Sequence, residues 1–242
     1  MTRIIVALDF TDLNQAFECV ETLSPAHCKL KVNNSLFTRG GPEFVRRLVD
    51  LNFDVFLDLK FYDIPNTVAQ ACAAAADLGV WMLNVHALGG LMMLRAAREA
   101  LNPYGKKAPC LMAVTALTSY HEAEWTSLGF KKGIEDSVLS LAQLAYDAEL
   151  DGVVCSAAEA ALLRQRFGTS FCLVTPGIRL PEDAKDDQQR VLTPEMALAS
   201  GSDYLVMGRS ITRSSDPSAL LMRLNAELSK QRTDEQNTDR SL

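Results

Sequence analysis

Three features of this 242-residue sequence predict an α/β fold of the (β/α)8 TIM-barrel type in a single domain. Short, apolar, β-branched runs recur eight times, each is followed by a stretch with helical spacing, and no composition break divides the chain. Strands apolar on both faces and alternating with helices indicate a parallel sheet covered by helices. At roughly 150 residues per domain the length fits one domain or two. Eight β/α units close one barrel, whereas a dinucleotide-binding sheet would want a G-x-G-x-x-G turn, which does not occur.

The predicted strands are 4–8, 29–32, 53–59, 80–85, 110–115, 152–155, 171–174 and 204–207. Helical spacing falls near 12–23, 42–51, 65–78, 90–101, 134–149, 157–167, 194–200 and 217–229. Asp12 suits the cap of the first helix, and Pro42 and Pro65 suit first helical turns. Gly79 follows Leu78 where a helix-terminating glycine belongs, and Gly152 opens the sixth strand after a short loop. The long connections 116–133 and 179–193 are polar, and long barrel loops are often ligand loops or lids. Residues 1–229 are expected to form the barrel. The polar stretch 230–242 lacks periodicity and is expected to be a flexible tail.

Lys and Arg total 24 against 30 Asp and Glu, a net charge of −6. That balance argues against nucleic acid or an anionic membrane surface as a partner. No apolar run approaches the roughly 18 residues of a bilayer span, and Asp9 ends the first run too early for a signal peptide. A cytoplasmic location is expected. Cys19, Cys28, Cys72, Cys110, Cys155 and Cys172 show no C-x-x-C spacing and no zinc-suited histidine pair, so they read as reduced thiols.

Barrel active sites lie at the C-terminal ends of the strands. Those ends carry Asp9, Lys31, Asp58 with Lys60, His86, Thr115, Ser156, Thr175-Pro176-Gly177 and Gly208-Arg209. Strand residues two apart share a face, so Asp58 and Lys60 point into the barrel while Leu57 and Leu59 face the helices. Opposite charges at such a site must pair, and Lys31 on the next strand and Asp63 just downstream extend a Lys–Asp–Lys–Asp array. Loops after strands seven and eight often hold phosphate, and here they offer Gly177, Arg179, Gly208 and Arg209. His86 reads equally as a catalytic or a hydrogen-bonded structural residue. His27 and His121 have no recognisable partners, and Met92-Met93 reads as core filler.

The run Asp58-Leu59-Lys60-Phe61-Tyr62-Asp63-Ile64-Pro65-Asn66-Thr67 closely resembles the D-x-K-x-x-D-I-P-N-T signature of the orotidine 5′-phosphate decarboxylase family. Ala7-Leu8-Asp9, Leu30-Lys31-Val32, Asn84-Val85-His86-Ala87, the 114–119 run, the 175–179 run and Gly208-Arg209 follow in the family's order. The resemblance implies cofactor-independent decarboxylation of orotidine 5′-phosphate to uridine 5′-phosphate, with no metal and no cofactor. It implies that Lys60 gives a proton to C6 of the pyrimidine and that Asp58 lies beside the substrate carboxylate. Lys31 and Asp9 would bind the ribose hydroxyls and Thr118 the pyrimidine edge. Pro176 would contact the substrate, and Arg179, Gln188 (favoured by spacing over Gln189), Gly208 and Arg209 would hold the 5′-phosphate. Asp63 and Thr67 would reach into a neighbouring subunit's site, which implies a homodimer with shared active sites.

Where the family usually has glycine, this chain has Asn33, which predicts a local backbone adjustment, because asparagine tolerates unusual angles. The loop 180–187 carries Glu182, Asp183, Asp186 and Asp187, expected to face solvent. Two other readings remain open. One is a magnesium-dependent phosphosugar enzyme of the same superfamily, such as a hexulose-phosphate synthase, which would want a further carboxylate at the mouth. The other is a barrel that binds nucleotide without turnover.

Overall fold

The computed structural model describes residues 2–181 and 192–239. Eight strands form a closed, all-parallel barrel in chain order: β1 (Ile4–Ala7), β2 (Lys29–Asn33), β3 (Val55–Phe61), β4 (Met82–His86), β5 (Cys110–Val114), β6 (Gly152–Val154), β7 (Cys172–Thr175) and β8 (Tyr204–Met207). Their helices are α1 (Leu13–Glu21), α2 (Asn34–Asp50), α3 (Pro65–Ala76), α4 (Gly90–Leu101), α5 (Glu122–Ser127), α6 (Ile134–Asp147), α7 (Ala157–Phe167), α8 (Pro194–Ala199), α9 (Arg209–Thr212) and α10 (Pro217–Asp239).

Alternation along each strand builds two cores. Ile4, Val6, Leu30, Val32, Val55, Leu57, Leu83 and Val85 pack outward against the helices. Ile5, Ala7, Phe56, Met82, Met112, Val174 and Val206 fill the barrel interior. Two helix starts follow the sequence signals: the Asp12 carboxylate accepts from the amides of Asn14 and Gln15 at 2.9 and 3.0 Å, and α3 begins on Pro65. All six cysteines are free.

The two ends of the barrel are built differently. At the lower, N-terminal end, the carboxylates of Asp151 and Asp203 accept the strand amides of Leu111 and Leu173 at 2.7 and 2.8 Å. Arg98 and Arg164 pair with those carboxylates, and Lys29 pairs with Asp54 beneath the Trp81 ring. The lower rim is thus cross-linked by charge-assisted hydrogen bonds, leaving the upper rim for chemistry.

Five sequence expectations need correction, the first being Met92, which is exposed on α4 whereas Met93 is core. Helix α2 begins at Asn34, eight residues before the predicted start, and is kinked at Gly41, whose φ of 60° only glycine adopts easily. Pro42 sits just after the kink, so it still opens a helical segment, the second of two. The 116–133 connection is not open loop: it contains α5, anchored by the fully buried Trp125. That indole stacks on Phe130 at 4.1 Å and donates to Ser137 Oγ at 3.1 Å. Helix α10 continues to Asp239, beyond the 229 at which apolar spacing stops. Its extension draws on strong helix formers such as Lys230, Gln231, Arg232 and Glu235, which need no apolar stripe to favour helical backbone. Finally, Asn33 has ordinary extended angles (φ −89°, ψ 174°) and acts through its side chain, capping α2 by accepting from Leu36 N at 2.9 Å.

Candidate functional site

The inward residues of β1, β2 and β3 meet at the upper rim as a continuous line of alternating charge. Lys60 Nζ lies 2.6 Å from Asp58 Oδ1, Lys31 Nζ lies 3.0 Å from Asp58 Oδ2, and Lys31 Nζ lies 3.7 Å from Asp9 Oδ1. Asp58 is therefore held from both sides by ammonium groups. Its side chain and that of Lys31 are each 11% exposed, and Lys60, at 31%, opens toward the cavity. The Asn33 side chain adds a hydrogen bond to Asp9 Oδ1 at 2.9 Å, so the residue that caps α2 also steadies the end of the charge line.

Burial pushes the Asp58 carboxyl up, yet the charges of Lys31 and Lys60 and hydrogen bonds from Lys60 and Asn84 outweigh it. The net effect holds Asp58 below its usual range, as a carboxylate at neutral pH. His86 moves down, because burial and the nearby Lys60 ammonium both disfavour the imidazolium. Its Nδ1 accepts from Leu88 N at 3.3 Å and its ring packs on Tyr62, with centroids 5.7 Å apart. His86 is not among the residues lining the cavity, which favours the structural side of the two readings left open for it.

Lys60 has a left-handed backbone, φ 52°, which costs a non-glycine residue roughly 1–3 kcal/mol. The strain falls where the β3–β4 register is irregular. Leu57 pairs with Leu83 and Phe61 with Val85, so three β3 residues stand opposite Asn84 alone. In the sequence Asn84 stands only as part of the Asn84-Val85-His86-Ala87 run, with no role of its own. Its signal was a single amide inside the otherwise apolar start of β4.

A cavity of about 560 Å³ opens above the charge line. Asp9, Lys31, Asp58, Lys60, Thr118, Pro176, Arg179, Gly208 and Arg209 all line it, over an apolar floor that includes Phe56, Val154 and Val206. β3 and β7 lie four places apart in the eight-strand ring, so Lys60 and Arg179 sit on opposite walls. Gly177, two residues before Arg179 in the loop after β7, has φ 79° and also lines the cavity. Arg213, one helical turn after Arg209, also lines the cavity and was not anticipated; the i, i+4 spacing after Gly208-Arg209 was its signal.

Two of the expected residues do not reach this cavity. Asp63 and Thr67 are exposed and lie outside its lining, because β3 ends at Phe61 and the chain turns away into α3. Asp63 accepts from Ile64 N at 2.6 Å. The single-chain array is therefore Asp9–Lys31–Asp58–Lys60, without Asp63. Gln188, Gln189 and the acidic positions 182–187 lie outside the described residues.

Fold and site together define a (β/α)8-barrel enzyme with a lysine–carboxylate centre under an arginine-bearing, anion-receptive mouth. The chain belongs to the orotidine 5′-phosphate decarboxylase / HUMPS family, whose model matches residues 2–224. It is 55% identical over 226 residues to an orotidine 5′-phosphate decarboxylase of Legionella pneumophila (strain Corby), covering 93% of this chain and 99% of that one. A second such protein, from Nitrosococcus oceani, is 56% identical over 228 residues, covering 94% and 98% of the two chains. Among solved structures, orotidine 5′-phosphate decarboxylase from Lactobacillus acidophilus superposes with a TM-score of 0.83 at 38% identity, covering 93% and 97%.

Proposed function

We propose that this chain decarboxylates orotidine 5′-phosphate to uridine 5′-phosphate and CO2, with Lys60 as the proton donor. The family and the names of its close relatives support the reaction. The observation that carries the mechanism is the Lys60 ammonium, held 2.6 Å from Asp58 at a cavity whose far wall carries Arg179.

The chemistry suits these groups. Breaking the C6–carboxylate bond leaves its electron pair on a ring carbon with no neighbouring carbonyl to spread the charge. A fixed ammonium beside that carbon stabilises the pair and then delivers a proton to C6, leaving a neutral amine that solvent reprotonates. Asp58 orients the ammonium, and Lys31 and Asp9 are placed to take the ribose hydroxyls, with Thr118 at the pyrimidine edge. Arg179, Gly208, Arg209 and Gln188 take the phosphate, whose binding energy helps orient a distant reacting carbon, and Pro176 lies against the substrate. The net charge of −6 weighs against polyanions yet leaves room for this small one, because the positive groups gather at a single mouth.

The direct test is conversion of orotidine 5′-phosphate, followed by absorbance, with the product identified as uridine 5′-phosphate. Binding of that product without any turnover would favour the non-catalytic reading instead.

The protein acts in this proposal as a cytoplasmic homodimer in which Asp63 and Thr67 complete the partner's site. Their exposure outside their own chain's cavity supports that arrangement. Mixing Lys60→Ala with Asp63→Ala subunits should restore activity, since each mixed dimer has one site free of both changes. Random exchange should recover roughly a quarter of wild-type activity. No recovery after verified exchange would count against sharing.

A further inference from the structure

We propose that Asn84 is a positioning residue for the reaction, fixing both the backbone of Lys60 and the carboxylate of Asp58 with one side-chain amide. The inference rests on the proton-donor reading of Lys60.

Asn84 is fully buried on β4 and is not among the residues that line the cavity, so it acts through other groups. Between the Leu57–Leu83 and Phe61–Val85 pairs, β3 advances four residues while β4 advances two. The surplus interrupts the regular ladder where Lys60 takes its left-handed φ. The Lys60 N–H donates instead to Asn84 Oδ1 at 2.8 Å, and Asn84 Nδ2 donates to Asp58 Oδ1 at 2.7 Å. Asp58 Oδ1 is the same oxygen that receives Lys60 Nζ at 2.6 Å.

One amide thus closes a loop through main chain and side chain, from Lys60 N to Asn84 to Asp58 and back to Lys60 Nζ. The partners also fix the amide's orientation: a backbone N–H requires the oxygen, and a carboxylate requires the nitrogen. No apolar residue could perform either task, and a strained backbone persists only where its surroundings over-determine it. The charged groups around this loop are Lys31 on β2, Lys60 on β3, Asp9 beyond Lys31, and His86 near Lys60.

Two variants test the role. Asn84→Leu keeps similar volume but offers neither hydrogen bond. It should lower kcat roughly 100-fold, as small misplacements of a reacting group do, while KM stays within about threefold. Asn84→Asp keeps an acceptor for the Lys60 N–H. Its new carboxyl can replace the amide donor only while protonated, and burial beside Asp58 favours that form. Its kcat should therefore be greatest at the acid end of the range and fall as pH rises, where wild-type kcat stays level.

Values of kcat within threefold of wild type in both variants would overturn the role. So would a loss confined to KM, or an Asn84→Asp pH profile parallel to wild type. Should Asn84→Leu fail to fold, the Asn84→Asp profile decides alone. Wild type is assayed alongside: its failure to turn over would overturn the proposed reaction, whereas an active wild type with normal variants overturns only the role of Asn84.

Discussion

Lys60→Ala should abolish decarboxylation, lowering kcat by at least about 10⁴-fold, while uridine 5′-phosphate still binds. In the proposed mechanism the substitution removes both the charge beside the developing carbanion and the proton that quenches it. General acid catalysis contributes about 10²–10⁴-fold and a preorganised electrostatic contact about 10²–10³-fold, so their joint loss sets that floor. The fold should survive. Asp58 keeps Lys31 at 3.0 Å and Asn84 at 2.7 Å, so no carboxylate is left buried without partners. Phosphate binding, proposed for the opposite wall, should be unaffected. Titration with product and a thermal melt are the controls. Activity near wild type in a folded protein would remove Lys60 from the mechanism.

Asp58→Ala should be the most damaging single change to stability and activity together. Among the described residues Asp58 is the only carboxylate touching both Lys31 and Lys60, and its removal leaves two ammonium groups facing each other with Asp9 3.7 Å from one of them. Breaking a buried pair by deleting one partner costs about 3–5 kcal/mol. Lys60 is 31% exposed and can turn to solvent, which favours the lower end. In a domain of this size about 3 kcal/mol corresponds to a fall in Tm of about 6–12 °C. Activity should fall roughly 10³-fold, since in the proposed mechanism an ammonium free to swing is no longer held against C6.

The pH dependence of that contribution has a definite sign. The folded Asp58 carboxyl is shifted down, so its stabilisation is present above the ordinary carboxylate range. It is lost as pH falls through the lowered value. Melts of wild type and Asp58→Ala should therefore converge in strong acid. A constant gap across that range would contradict the assignment.

Much of this molecule is legible in its sequence because two periodicities are clean. Strand runs such as Ile4–Ala7 and Tyr204–Met207 are apolar on both faces, and each has a helix after it, which only a helix-covered parallel sheet explains. Asp58 and Lys60 stand out because charge inside such a run is costly unless it has partners and a purpose. What escaped the reading has equally physical causes. Asn84 carries no charge, and its role depends on a register irregularity that a strict two-residue alternation cannot reveal. Asn33 looked like a backbone accommodation and is a side-chain brace. The start of helix α2 is hidden because Pro42 marks a first helical turn, whereas a single glycine φ at Gly41 lets an earlier helical segment abut it. Helix α5 is too short to display a period; its buried Trp125 was the available sign.

If a lysine–carboxylate line performs the decarboxylation without metal, metal-stripped protein in excess EDTA should still turn over orotidine 5′-phosphate. The expected result is conversion to uridine 5′-phosphate at the rate of untreated protein, unchanged when magnesium is restored. Activity lost in EDTA and recovered with magnesium would contradict that mechanism and point to the metal-dependent members of the superfamily.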